Sequence, residues 1–370
     1  MKASWLLAVT ASALFAGTAA AQEITVGVAG PMTQAEAAFG RQLRNGAEQA
    51  VMDINAAGGV LGRQLKLEVG DDACDPKQAR SVAEKLAAMR VPVVFGHFCS
   101  SSSIPASEAY AEGGVLQISP GSTNPLYTER KLWNTFRTCG RDDQQGGLAA
   151  AYVLKTYKGK NVAIVHDKST YGKGLADEMR AALNKGGMKE RLYESYNKGD
   201  KDFNALVSKL KVNNIDFIYL GGYHQEAGLL LRQLRAQNVN AVLMAGDALA
   251  DREFASIAGP HADGVLFTFG PDPRKKASAA AILQKFKDRS IDPEGYTLYT
   301  YAAMQVWSQA AAKAGTIDAK KVAATMKSGK WDTVLGPLSF DQKGDITTVD
   351  YVIYRWGKDN AYTELNEKGT

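Results

Sequence analysis

The chain has 370 residues, of which 45% are apolar and 22% charged. That is an ordinary globular balance, and it excludes disordered and fibrous classes. Lys and Arg number 44 against 39 Asp and Glu, a net charge of +5. The longest basic run, Arg274-Lys275-Lys276, reads as a solvated helix start. So small an excess excludes nucleic acid as a partner.

The first 21 residues read as a signal peptide. Lys2 gives a positive n-region, Trp5 to Phe15 is apolar, and Ala19-Ala20-Ala21 offers a small-residue cleavage site before Gln22. The apolar stretch is short for a membrane span, and no later run is longer. A lipoprotein would carry a cysteine at the cleavage site, and the first cysteine is Cys74. An exported, soluble, periplasmic protein is the expectation.

Short apolar runs then alternate with helical ones. Ile24–Val28 reads as a strand, followed by a helix with apolar Leu43, Ala47, Ala50, Val51 and Ile54, stopped at Ala57-Gly58-Gly59. Leu65–Val69 reads as a strand, and Asp75-Pro76 starts a helix with Asp75 as cap. Val91–Phe95 and Val115–Ile118 read as two more strands. A second series, Val162–Val165, Leu192–Tyr196, Phe217–Leu220, Val242–Ala245 and Val265–Phe269, is separated by helical patterns such as Phe203–Val212 and Ala227–Ala236. This order predicts α/β architecture: two doubly wound, mostly parallel sheets, since the length exceeds one typical domain. After Gly270, helical stretches at Ala277–Lys287 and Thr297–Ala314 lead to Thr333–Phe340, a Gln342–Gly344 turn and Val349–Trp356, which together read as an antiparallel hairpin.

Export permits disulfides, and Cys74, Cys99 and Cys139 allow one pair and one leftover. A Cys74–Cys99 bridge would be worth about 3 kcal/mol by chain entropy. Pairings with Cys139 stay open at this level, although a buried, inert Cys139 is the commoner arrangement. The stretch from Asp71 to Ser103 holds both other cysteines and a serine run, Ser100 to Ser103, directly after an apolar strand. One of these serines is expected to cap a helix. Hydroxyls and free N–H groups at the mouth of an α/β sheet suit an anionic group such as a carboxylate.

The segments NGAEQAVMDINAAGG (45–59), DDACDPKQA (71–79), GHFCSSSSIPAS (96–107), ISPGSTNP (118–125), AIVHDKSTYGKGLA (163–176), GDKDFNALVSKLK (199–211), IDFIYLGGYHQEAG (215–228), TYAAMQ (300–305) and TVLGPLSFDQKGD (333–345) occur in this order. With them the chain resembles the leucine/isoleucine/valine-binding proteins of bacterial ABC importers over its whole mature length. The resemblance implies a type I periplasmic binding fold with a three-crossing hinge. Lobe 1 would be 22–141 plus 271–348, and lobe 2 would be 142–270 plus 349–370. It also implies a Cys74–Cys99 disulfide and a free Cys139.

The resemblance further implies an amino-acid ligand between the lobes. Ser100 and the Thr123 N–H would hold its carboxylate; the Gly121 carbonyl, the Thr123 hydroxyl and Asp247 would meet its ammonium. Tyr171 and Tyr223 would line the cleft from lobe 2, with Phe39, Phe98, Cys99, Ser122 and Tyr296 completing the wall. A zwitterion leaving water needs both charges met by fixed dipoles or opposite charges. Three positions depart from the leucine-binding pattern: Phe98 replaces Leu, Tyr296 replaces Phe, and Asp247 replaces Glu. The resemblance implies a neutral aliphatic amino acid of branched-chain type, and the larger walls point within that class to a ligand smaller than leucine: alanine, valine, proline or γ-aminobutyrate.

An enzyme is the main competing class. His97, Cys99 and Ser100 lie together, but no G-x-S-x-G elbow is present, and His97, His166, His224 and His261 lack metal-ligand spacing. No catalytic residue, metal or cofactor is expected. The other competitor is a periplasmic ligand-sensing receptor subunit without a transport role. The expected partners are the ligand and an inner-membrane ABC permease, with the chain acting as a monomer.

Overall fold

The computed structural model describes residues 23–348 and 350–365. The leader expected at 1–21 lies outside them. The first half alternates β1 (Ile24–Gly30), α1 (Ala37–Ala56), β2 (Leu65–Asp71), α2 (Pro76–Ala88), β3 (Val93–Gly96), α3 (Ser100–Glu112), β4 (Leu116–Ser119), α4 (Leu126–Glu129) and β5 (Thr135–Arg137). These strands form one parallel sheet in the order β2-β1-β3-β4-β5. Val26, Val28, Val93 and Phe95 are wholly buried, as continuous apolar runs in a sheet covered on both faces should be. Asp75 caps α2 as expected, accepting from the Lys77 and Gln78 backbone N–H groups, with Pro76 in the first turn.

The second half adds α5 (Asp142–Thr156), β6 (Val162–His166), α6 (Thr170–Lys185), β7 (Leu192–Ser195), α7 (Asn204–Val212), β8 (Phe217–Gly221), α8 (His224–Ala236), β9 (Val242–Ala245), α9 (Arg252–Ala258) and β10 (Leu266–Phe269). Next come α10 (Ala280–Asp288), α11 (Thr297–Ala314), α12 (Ala319–Ser328), β11 (Lys330–Thr333), β12 (Gly336–Ser339), β13 (Val352–Trp356) and β14 (Tyr362–Glu364). The second sheet runs β14-β13-β10-β9-β8-β6-β7. Helix α11 packs on α1 and β3 of the first sheet. The chain therefore passes between the sheets three times: after β5, after β10 and before β13. Strand order reverses at β1/β3 in one sheet and β6/β8 in the other, and such switch points are where open α/β sheets bind ligands.

The expected hairpin of Thr333–Phe340 with Val349–Trp356 does not form. The first segment is split by a tight turn, so β12 folds back on β11 with Thr333 opposite Gly336. Gly336 takes φ +88°, and the Thr333 hydroxyl donates to its carbonyl at 2.6 Å. Strand β13 instead pairs antiparallel with β10, burying Ile353, Tyr354 and Trp356 against the second sheet. The apolar run identified a strand, but partner choice is a non-local property. The three-residue strands β5 and β14 are too short to give a periodic signal.

A buried ion network ties the third crossing to the first. Asp345 bonds Arg137 Nε and Arg141 Nη1, both at 2.7 Å, and accepts from the Thr128 hydroxyl at 2.8 Å. Burial pushes the Asp345 carboxyl up, but Arg137, Arg141 and Thr128 outweigh it and hold the carboxyl below its ordinary range. The stabilisation is present above the unfolded-state value and is lost as pH falls through the depressed one. Removing the carboxylate leaves the fully buried Arg137 uncompensated. Asp345→Ala should cost about 3–5 kcal/mol in urea unfolding at neutral pH, and a loss under about 1 kcal/mol would contradict this role.

Candidate functional site

Strand β3 ends at Gly96, and the following turn delivers Phe98, Cys99 and Ser100. Cys99 is bonded to Cys74, Cα to Cα 5.6 Å, which joins this turn to the loop after β2. Cys139 is the free, buried cysteine, and burial pushes its thiol well above the ordinary range. His97 locks the turn from below. Its Nδ1 meets Asp72 Oδ2 at 2.5 Å and its Nε2 meets the Tyr110 hydroxyl at 3.1 Å. Its carbonyl accepts from the Ser119 and Ser103 hydroxyls at 2.6 and 3.1 Å.

The serine run does not cap the helix. Cys99 is the N-cap residue of α3 and makes no side-chain cap bond. Ser103 serves the His97 carbonyl instead, and the Ser100 hydroxyl accepts from the Asn124 N–H at 3.3 Å. The reason is steric order: α3 begins at Ser100 itself, so its serines lie inside the first turn rather than before it.

Seven residues, Phe98, Ser100, Gly121, Tyr171, Tyr223, Asp247 and Ala248, line a narrow space between the sheets that is shut down to about 0 Å³ of room for a water-sized sphere. All but Ala248 are among the residues singled out from sequence. Ser122 turns away, its hydroxyl donating to the Phe98 carbonyl at 2.8 Å, and Cys99 is committed to the disulfide. Phe39 lies behind the wall, stacked on Phe98 with centroids 4.3 Å apart. Tyr296 closes the other side, its ring edge-on to Phe98 at 5.2 Å and its hydroxyl bonded to Asp247 Oδ2. Thr123 is buried beside the space, and its hydroxyl has no hydrogen-bond partner.

Asp247 is the electrostatic centre. It is 2% exposed and accepts from Tyr171 at 2.8 Å, from Gln145 Nε2 at 2.9 Å and from Tyr296. All three donors are neutral, and no ion pair with Asp247 occurs among the described residues. Burial pushes its carboxyl above the ordinary range, against the hydrogen bonds from Tyr296, Gln145 and Tyr171. Gln145 also donates to Asp142 Oδ1 at 3.2 Å, so a second buried carboxyl stands beside the first. Burial and the Asp247 charge push Asp142 up as well. Sequence reading missed Asp142, Gln145 and Ala248. The only signal was Asp142-Asp143-Gln144-Gln145 at the first turn of a helix, where exposed polar residues are commonplace.

Contacts cross the cleft around this centre. Lys198 Nζ meets Glu36 at 2.9 Å and lies 4.9 Å from the Tyr223 ring centroid. Gln42 donates to Asp251 at 2.7 Å, Gln225 to the Ala35 carbonyl at 2.8 Å, and Asn124 to the Thr170 carbonyl at 2.9 Å. The two sheets are thus held in a closed arrangement.

A far larger cavity, about 390 Å³ against essentially none between the sheets on the same measure, lies among the three crossings, lined by Cys139, Phe269, Tyr299, Leu335 and Ile346 among others. Its one ammonium, Lys276, is bonded to the Leu335 carbonyl at 2.7 Å. Asp350 also lines it, whereas the smaller space is lined by Ser100 in the first turn of α3 and by the buried Asp247. No group of three His, Cys, Asp or Glu able to hold a metal occurs among the described residues. No helix among them is long and apolar enough to cross a membrane.

Comparison with known proteins finds relatives over almost the whole chain. The periplasmic binding protein family model matches residues 23–361. Leu/Ile/Val-binding protein homolog 1 of Brucella melitensis is 50% identical over 364 residues, covering 98% of each chain. An amino acid binding protein of Pseudomonas aeruginosa is 50% identical over 351 residues, covering 94% of each. Among solved structures, the leucine binding protein LivK of Thermotoga maritima superposes with TM-score 0.85 at 26% identity, over 92% of this chain and 97% of that one. LivJ of Streptococcus pneumoniae, a branched-chain amino acid transporter substrate binding protein in complex with isoleucine, gives 0.84 at 26%, over 92% and 99%. The chain belongs to the periplasmic binding protein family.

Proposed function

We propose that the chain is the substrate-binding component of an ABC importer for a neutral aliphatic amino acid. The ligand is captured between the lobes and delivered to an inner-membrane permease. One observation carries the reading: Asp247 is buried, accepts only from neutral donors, and lines the same space as Ser100, the first residue of α3. A ligand ammonium supplies the missing cation, and its carboxylate suits Ser100 and the helix N-terminus. The Leu/Ile/Val-binding relatives and the isoleucine-bound neighbour support the same ligand class. Lobe 1 is 22–141 plus 271–348 and lobe 2 is 142–270 plus 349–370, in keeping with the sheet memberships of β1–β5 and β6–β10. The chain is exported with a leader cleaved near Ala21, works as a monomer, and performs no catalysis.

The side-chain pocket is narrowed by two aromatic rings. Phe98 lies directly over Gly121: a Cβ built there would stand 2.5 Å from Phe98 Cδ2 and 2.8 Å from Cε2. Glycine at 121 and phenylalanine at 98 are thus a matched pair. With Tyr296 on the far side, the pair supports a ligand smaller than leucine: alanine, valine, proline or γ-aminobutyrate.

Two measurements test this function. Thr123→Ala and Asp247→Ala should each weaken amino-acid binding by about 2–5 kcal/mol in calorimetry with melting temperature preserved, because each strands part of a buried charge pair. Affinity should also fall on acidification. The ammonium needs ionised Asp247, so binding holds above its raised value and is lost as pH drops through it. That loss begins at a higher pH than an ordinary aspartate near about 3.9 would give. Affinity flat in pH down to that value, or near-native binding in both variants, would put the ligand elsewhere.

For size, alanine or γ-aminobutyrate should raise the melting temperature more than leucine. Phe98→Leu should shift preference toward leucine by about 1–2 kcal/mol. Gly121→Ala should weaken binding alone and be tolerated in combination with Phe98→Leu. Leucine preferred by the unaltered protein, with no coupling between positions 98 and 121, would contradict the narrowing.

A further inference from the structure

We propose that Asp142 is a specificity-determining positioning residue: it fixes the Thr123 hydroxyl as a hydrogen-bond acceptor toward the cleft, so that this position reads an N–H donor and rejects an oxygen. The proposal rests on the amino-acid reading above and names how its ammonium is discriminated.

The argument is one of counting protons. Thr123 and Asp142 are wholly buried and face each other, tied by the Asp142 N–H donating to the Thr123 carbonyl at 2.9 Å. The Thr123 hydroxyl leans toward the Asp142 carboxylate without closing a bond of normal geometry, and both Thr123 Oγ1 and Asp142 Oδ2 lack a partner. Two orphan polar atoms side by side cost more than either would alone, and each is the other's natural partner. Gln145 offers no alternative. Its Nε2 is spent on Asp142 Oδ1 at 3.2 Å and Asp247 Oδ1 at 2.9 Å, and its Oε1 accepts from Thr268 at 2.7 Å and from the Asp247 N–H at 3.2 Å. Arg137, the nearest guanidinium acting on Asp142, is committed to Asp345 at 2.7 Å and to the Ser122 carbonyl at 2.7 Å.

A bound ammonium and the Arg137 charge favour the ionised form of Asp142 against the burial and the Asp247 charge that push its carboxyl up; ionised, it only accepts, so the single Thr123 proton goes to Asp142 Oδ2. The lone pairs of Oγ1 are then left for the cleft. A donor there, such as an ammonium, is welcomed; a carbonyl, hydroxyl lone pair or carboxylate oxygen is repelled.

Asparagine at 142 would reverse this polarity. Gln145 Nε2 demands an acceptor, so the amide oxygen faces Gln145 and the amide Nδ2–H faces Thr123, turning the hydroxyl proton into the cleft. The test compares an amino acid with its counterpart lacking the amine: valine against 3-methylbutanoate, and γ-aminobutyrate against butanoate, by calorimetry. In Asp142→Asn the amino-acid preference should fall by about tenfold or more, roughly 1.4 kcal/mol. In a Thr123→Val background the same substitution should leave the preference unchanged. Equal losses for both members of each pair, or the same loss in the Thr123→Val background, overturn the inference while leaving the amino-acid reading intact. An unaltered protein that binds neither valine nor γ-aminobutyrate overturns both. If Asp142→Asn does not fold, a crystal structure of the unaltered protein with its amino acid decides. Thr123 Oγ1 within about 3.0 Å of Asp142 Oδ2 is expected, and a separation beyond about 3.5 Å overturns it.

Discussion

Two carboxyl groups buried where the lobes meet, with no ion-pair partner among the described residues, are the constraint on which this molecule turns. A charge removed from water is costly unless it is paired and hydrogen-bonded. Asp247 has its hydrogen bonds but no counter-charge, and Asp142 has neither in full. In the closed arrangement Tyr296, Tyr171 and Gln145 donate to Asp247, and Gln145 also to Asp142. On the proposed reading, a ligand ammonium would offset the desolvation of both groups, which would couple closure to capture.

The rest of the scaffold holds the opposing half of the site still. The disulfide, the Asp72–His97–Tyr110 chain and three serine hydroxyls converge on the residues from Gly96 to Ser100. Rigid positioning matters because a carboxylate-binding helix terminus works only within its first turn. The facing lobe contributes aromatic rings, Tyr171 and Tyr223, packed 5.1 Å apart. The wall between them is set by volume: Phe98 occupies what a side chain at 121 would otherwise fill.

Much of this was legible in the chain. Fully buried parallel strands write themselves as continuous apolar runs, and Asp75-Pro76 announces a helix start by local chemistry alone. The clustering of Phe98, Ser100, Gly121, Tyr171, Tyr223 and Asp247 followed from family resemblance, not from spacing, because they come from both sheets. What was illegible is non-local. Strand β13 is an apolar run readable as a strand, yet it pairs with β10 rather than with its neighbour in sequence. The serines of α3 look like caps until the helix is seen to begin at the first of them. Asp142 and Gln145 look like a solvated first turn, and only the fold turns that face inward onto Asp247.

X-ray scattering in solution tests the central claim most directly. The radius of gyration would be measured for the protein alone, with alanine or γ-aminobutyrate, and with propanoate or butanoate, the same acids lacking the amine. The account predicts a decrease with the amino compounds, none with the deaminated acids, and none with either in Asp247→Asn. Equal compaction by propanoate and alanine would contradict it, since closure would then be driven by the carboxylate end and the buried carboxyls would be bystanders.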